Sequence, residues 1–176
     1  AGNIAASGTA AVGLGADVAT INKRTEAFID SGLTAIVEGD ILISADSLED
    51  ITSIAAGMSA SGGASVAADA GVHILDIYTR AFIGDDPTDA TASAGPGNIR
   101  ALSDIVVQAD DRTEIDKIVG VLSAGIYAGI GAAAGVSTIT KNTESFIGAG
   151  ANVTADGQGT GATVRTGEFT LSSGSS

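Results

Sequence analysis

Three segments of this chain align with one another without a gap, and that internal repetition constrains the fold more than any other feature. Val18–Ile29, Val72–Ile83 and Val136–Ile147 lie in register at spacings of 54 and 64. A second block, Ile41-Leu-Ile-Ser-Ala-Asp46, returns 64 residues later as Ile105-Val-Val-Gln-Ala-Asp110, and the copies continue in step, with Ile51 and Ile54 against Ile115 and Ile118. A unit that cannot bury its own apolar face does so by stacking on the next copy, which is the logic of repeat architectures. The ten-residue difference between the spacings falls around Asp85 to Gly97, where both prolines lie, and reads as a surface loop inserted into one unit.

Alternate residues of a strand point to opposite faces, so splitting the block by parity separates a core side from a solvent side. One parity holds Ile21, Thr25, Ala27 and Ile29, with counterparts Leu75, Thr79, Ala81, Ile83 and Ile139, Thr143, Ser145, Ile147. This repeated, largely β-branched set is assigned to the core, with Ile29, Ile83 and Ile147 each expected to be buried. The other parity carries Asn22, Arg24, Glu26, then Asp76, Tyr78, Arg80, then Thr140, Asn142, Glu144, and is assigned to a solvated face. Turn signals such as Asp30-Ser-Gly, Glu38-Gly-Asp, Gly95-Pro-Gly-Asn and Ala155-Asp-Gly separate the strands.

One region supports two readings. Ile51, Ile54, Ala55, Met58 and Ile115, Ile118, Val119, Leu122 fall at the offsets of an amphipathic helix, and each run follows a capping-box pattern, Ser47-x-x-Asp50 and Asp111-x-x-Glu114. Short helices are therefore an option over 47–60 and 111–124. Gly57 and Gly120 inside the runs favour strands of small residues. The expected fold class is mostly β, a repetitive β-solenoid-like stack of about three imperfect repeats. The single repetitive domain spans 1–156, in units of about 1–62, 63–124 and 125–156, and the Gly/Ser/Thr-rich 157–176 reads as a tail or partial coil.

Composition sharpens this picture. With 25 Gly, no Trp and 3% aromatic residues in a chain that is 44% hydrophobic, the core must be thin and depend on close approach of backbones. The net charge of −13 argues against nucleic acid as a partner, because phosphate binding needs a clustered basic surface. The absence of Cys removes disulfides and thiol catalysis. No apolar run reaches the roughly 18 residues of a membrane span, so membrane insertion is not expected. The chain opens on Ala1 without a basic leader and reads as a mature or excised segment of something longer.

Chemistry-bearing motifs are sparse. His73, the lone histidine, replaces Ala19 and Ser137 in the alignment and reads as a surface or packing residue. No nucleophile elbow is present, and Gly125-x-x-x-Gly129-x-Gly131 lacks the lysine of a phosphate loop. The expectation is no catalytic residue, no cofactor and no enzyme. Carboxylates cluster at Asp46 with Glu49 and Asp50, at Asp85, Asp86 and Asp89, and at Asp110, Asp111, Glu114 and Asp116. Of these, Asp46, Asp50, Asp85, Asp86, Asp110 and Asp111 are weak candidates for calcium, which takes six to eight oxygen ligands. No Gly-Gly-x-Gly-x-Asp array accompanies them, so metal binding is not the expected use. Asp46, Asp110 and His73 are assigned to exposed or turn positions. A single Thr138-x-Thr140 pair is too little for an ice-binding row.

The elements Thr79-Arg-Ala-Phe-Ile-Gly84 and Thr143-Glu-Ser-Phe-Ile-Gly148, each following an Ala/Gly/Val-rich strand and leading to a Val-rich strand ending in Ala-Asp, resemble the repeats of filamentous-haemagglutinin-like and leukotoxin-type filamentous adhesins. Those are exoproteins of two-partner secretion. Thr25-Glu-Ala-Phe-Ile-Asp30 departs from the pattern at its last position. The resemblance runs from about Val12 to about Ala155 and supplies no functional residue. It implies an exported, elongated stalk at the bacterial cell surface or outside the cell, non-enzymatic, with a host or neighbouring cell surface or copies of itself as partners. The alternative is a self-assembling subunit of an extracellular fibre, sheath or matrix.

Overall fold

The computed structural model describes residues 1–88 and 97–157, and the backbone alone of 162–166 and 170–174. Asp89, Gly95 and most of the inserted loop lie outside the described residues. The described chain is built of strands, in the order β1 (Gly2–Ser7), β2 (Ala10–Ile29), β3 (Thr34–Val37), β4 (Ile41–Ser61), β5 (Ala64–Ile83), β6 (Gly97–Ala101), β7 (Ile105–Gly125), β8 (Ala128–Ile147), β9 (Ala151–Ala155), β10 (Ala162–Thr166) and β11 (Thr170–Gly174).

These strands wind into three parallel sheets. Sheet A runs β1-β4-β7-β10, with β11 also on β7; sheet B runs β2-β5-β8; sheet C runs β3-β6-β9. Every pairing is parallel, and the register is that of the sequence alignment: Phe28 lies beside Phe82, Phe82 beside Phe146, and Ala45 beside Ala109. The protein is a mostly β, repetitive stack with three rungs. The tail contributes β10 and β11 to sheet A, five residues each.

The helical option over 47–60 and 111–124 is not what forms. Both segments lie inside the 21-residue strands β4 and β7, paired with each other throughout. The 0, 3, 4, 7 spacing misleads because apolar residues sit on both faces here. Ala55 is buried and inward, while Ile54 and Met58 are 53% and 45% exposed. In a stack of rungs, the pairing of twenty consecutive backbone groups outweighs a short amphipathic stripe containing Gly57 and Gly120.

In cross-section each rung is wide at one end and thin at the other. Where the three sheets meet, Ile43, Ala45, Ala81, Ile83, Ile99, Ala101, Ile105, Val107 and Ala109 form the main core. A smaller cluster of Leu75, Ile77 and Ile115 follows between sheets A and B. Beyond it the two sheets close on small and polar inward residues, among them Ser53, Ala55, Ser59, Ser65, Ala67 and Asp69. At the thin end the turns themselves stack, and a Cβ on Gly63 would overlap the carbonyl oxygen of Thr9 in the rung below. Glycine is required there for backbone approach. At the opposite end Gly32 (φ 76°) and Gly150 (φ 72°) take the left-handed conformation in equivalent turns, from sheet B to sheet C.

The parity split separates inward from outward residues in the middle rung, where His73, Leu75, Ile77, Thr79, Ala81 and Ile83 are buried. The outer rungs differ because each lacks a neighbour on one side of sheet B. Ile21, Ile29 and Ile139 are partly buried, as are Thr25 and Thr143. Ile147, expected to be buried, is 39% exposed.

Candidate functional site

Several ionisable side chains within the stack, Glu49, Asp111 and Asp17 among them, are met by partners from a neighbouring rung or from the facing sheet. The buried Asp69, by contrast, accepts from the adjacent Ala70 N–H and keeps one oxygen without a hydrogen-bond partner. Glu49, 7% exposed, points between sheets A and B. It accepts hydrogen bonds from Lys23 Nζ at 2.5 Å, Ser47 Oγ at 2.7 Å and Thr113 Oγ1 at 2.9 Å. Burial alone would raise its pKa, but the three donors outweigh burial and hold the carboxyl below its usual value. On the next rung Asp111, 1% exposed, pairs with Lys141 and accepts from Thr79 Oγ1 at 3.2 Å. Lys23 and Lys141 occupy the same inward column on either side of Ile77, so the two cations approach the polar band from the two outer rungs.

His73 is 2% exposed, which corrects its assignment to an exposed position: its ring lies inside the middle rung. Its Nε2 is 3.1 Å from Asp17 Oδ2, and Ser53 Oγ donates to that same oxygen at 2.6 Å. These two bonds, Ser53 first, hold the Asp17 carboxyl below its usual pKa. The trio contains the residue types of a hydrolytic triad in the wrong order. Serine and histidine both bind the aspartate, and His73 Nδ1 has no hydrogen-bond partner, so the histidine is not placed as the base of a triad to take a proton from Ser53.

The outward side of sheet B carries the second correction. Arg80, assigned to the solvated face, is 3% exposed. The described start of the inserted loop folds back over it, and Asp86 receives Arg80 Nη1 and Nη2 in a two-pronged contact at 2.8 Å each. Thr88 Oγ1 accepts from Nη1 at 3.0 Å, and Glu144 lies 3.2 Å from Nε. The guanidinium also lies 5.5 Å and 5.4 Å from the ring centres of Phe82 and Phe146. Those rings belong to a three-rung stack with Phe28, at centroid separations of 5.1 Å. Hydrogen bonding to Arg80 holds the Asp86 carboxyl well below its usual range. The signal was legible in the alignment, since Arg80 stands in the column of Glu26 and Glu144 and opposite charges in one column meet across adjacent strands.

The six calcium candidates do not converge. Asp46 and Asp110 are register partners in strands β4 and β7 rather than in turns; Asp46 is exposed and Asp110 half-buried. They line an open groove of about 260 Å³ together with Ser47, Leu48 and Arg112. Asp50 is exposed on the outward side of β4, and Asp85 is half-buried at the start of the inserted loop. Asp86 and Asp111 are engaged by Arg80 and Lys141. Among the described residues no group of three or more His, Asp or Glu is placed to hold a metal ion.

Comparison with protein-family models, with well-characterised proteins and with solved structures finds no match to this chain.

Proposed function

We propose that the chain is a non-enzymatic structural and adhesive segment of a large secreted or surface-attached bacterial exoprotein. The observation that carries this reading is the use made of polar side chains. Glu49, Asp111 and Arg80 are bound across rungs or by the chain's own loop, where they fix register, rather than gathered around a cleft. Such a stack can be lengthened rung by rung and presents long outer faces to another surface. The acidic balance of −13 suits a soluble stalk whose copies repel one another along most of their length.

The alternative, a subunit of an extracellular fibre, draws on a different feature. Among the described residues of sheet B, β2 and β8 each pair only with β5, which leaves two edges twenty residues long without a described partner strand. Electron microscopy of the isolated chain, together with binding to immobilised cells and glycans, separates the two. Discrete particles that bind a cell surface support the adhesive segment, ordered filaments growing end to end support the subunit, and turnover of a substrate by the folded chain would overturn both.

A further inference from the structure

The thin half of the stack has its hydrophobicity inverted. Inward positions there are mostly small or polar, including Asp17, Ser53, Ser65, Asp69 and His73, with Val119 and Val121 of β7 as apolar exceptions. The outward positions of sheet B, alternating from Val12 to Thr20 and in the matching stretches of β5 and β8, carry no charged residue across three rungs. Two ridges of β-branched residues run along the stack, one of Val12, Val66 and Ile130 and the other of Val18, Val72 and Val136. Between them lies a groove floored mostly by alanine, such as Ala70 and Ala134, into which Leu14 projects from the first rung.

We propose that this outward face of sheet B is a lateral interface with a second copy of this chain. Three observations select that partner. First, area: Val12, Val18, Ile130 and Val136 are 57% to 69% exposed. With their neighbours they offer on the order of 700 Å² of apolar surface, beyond the largest patch of an ordinary monomer and close to the ~800 Å² per partner of a stable interface. Second, charge: in a chain of net charge −13 two copies repel wherever carboxylates face outward. Among the described residues this is the broadest outward stretch without them, bordered by Asp76 on one side. On sheet A the comparable stretch is bordered by Asp50, Glu114 and Asp116, and its first rung is only the six-residue β1. Third, shape: with two ridges flanking one groove, a two-fold contact can seat one ridge of each copy over the other copy's alanine groove, at the ~10 Å spacing of packed sheets. A lipid surface fits less well, because hydrocarbon would also cover the open edges of β2 and β8 and leave their backbone N–H groups without acceptors.

The proposal deepens the scaffold reading by naming where two copies meet, and it can fail while that reading stands, since an adhesive stalk works as a monomer. The test is sedimentation of the full chain at rising concentration, alongside Val18→Glu, Val136→Glu and, on sheet A, Leu122→Glu. Circular dichroism checks that each exposed-site variant remains folded. The expected result is a reversible dimer for the parent chain and Leu122→Glu, with dissociation shifted at least about ten-fold toward monomer in the two sheet B variants. A parent chain that stays monomeric, dimers insensitive to Val18→Glu and Val136→Glu, end-to-end oligomers, or monomers that instead co-sediment with phosphatidylcholine vesicles would each overturn it.

Discussion

Ile83 and Ile147 are register partners on adjacent rungs, yet Ile83 is completely buried and Ile147 is 39% exposed. The same side chain in the same column thus has two energetic roles, set only by whether a further rung covers it. Ile83→Ala removes about three methyl-sized groups from a packed site and should cost about 3 to 4 kcal/mol. Ile147→Ala should cost about 1 kcal/mol or less, because solvent already reaches the site. Urea unfolding of the two variants measures the difference, and equal costs would mean that Ile147 is covered in solution.

Acidification should act through Glu49. Its folded pKa lies below the ordinary 4.5, so its contribution is complete above pH 4.5 and is lost as pH falls through the depressed value. Glu49→Gln lacks that contribution and should be less stable at pH 7 by about 1 to 2 kcal/mol, the modest figure reflecting a partly exposed Lys23. The stabilities of the two proteins should converge as pH drops below 4.5. Parallel melting temperatures down to pH 3 would show that the Lys23, Ser47 and Thr113 contacts do not form in solution.

Glycines in this chain differ sharply in what they tolerate. Gly63→Ala would drive a Cβ into the carbonyl of Thr9 and should destabilise by about 1 to 3 kcal/mol, because the obstacle is backbone. Gly120→Ala meets nothing within 4 Å and should be neutral or gain up to ~1 kcal/mol by restricting the unfolded chain. Thermal melts of both variants decide it; a tolerated Gly63→Ala would mean the stacked turns are looser than described.

Much of the fold was legible because the repeat spacing is the pairing register: aligning Phe28, Phe82 and Phe146 in sequence is the same operation as stacking them. The orientation of Leu75, Thr79 and Ile83 followed from parity for the same reason. Local pattern and position in the stack disagree at a few places. The strand reading that Gly57 and Gly120 favoured is what forms, and the helix-like spacing arises because outward Ile54 and Met58 add to inward Ile51 and Ala55. The burial of Arg80 depends on Asp86 and Thr88 folding back from an insertion that no repeat describes. His73 is buried because the middle rung is covered on both sides, a fact about neighbours that its own flanking residues do not carry.

The long parallel strands have a mechanical consequence. Their backbone hydrogen bonds lie along the stacking direction, so tension applied between the two ends of the stack loads them head-on, a few at a time from an outer strand, rather than in shear along twenty residues at once. A stretched molecule would peel from its ends, each released turn of 54 or 64 residues paying out roughly 200 Å of slack while the remaining turns keep their shape. Such a stack would yield gradually under load, with a reserve of length that grows with the number of turns.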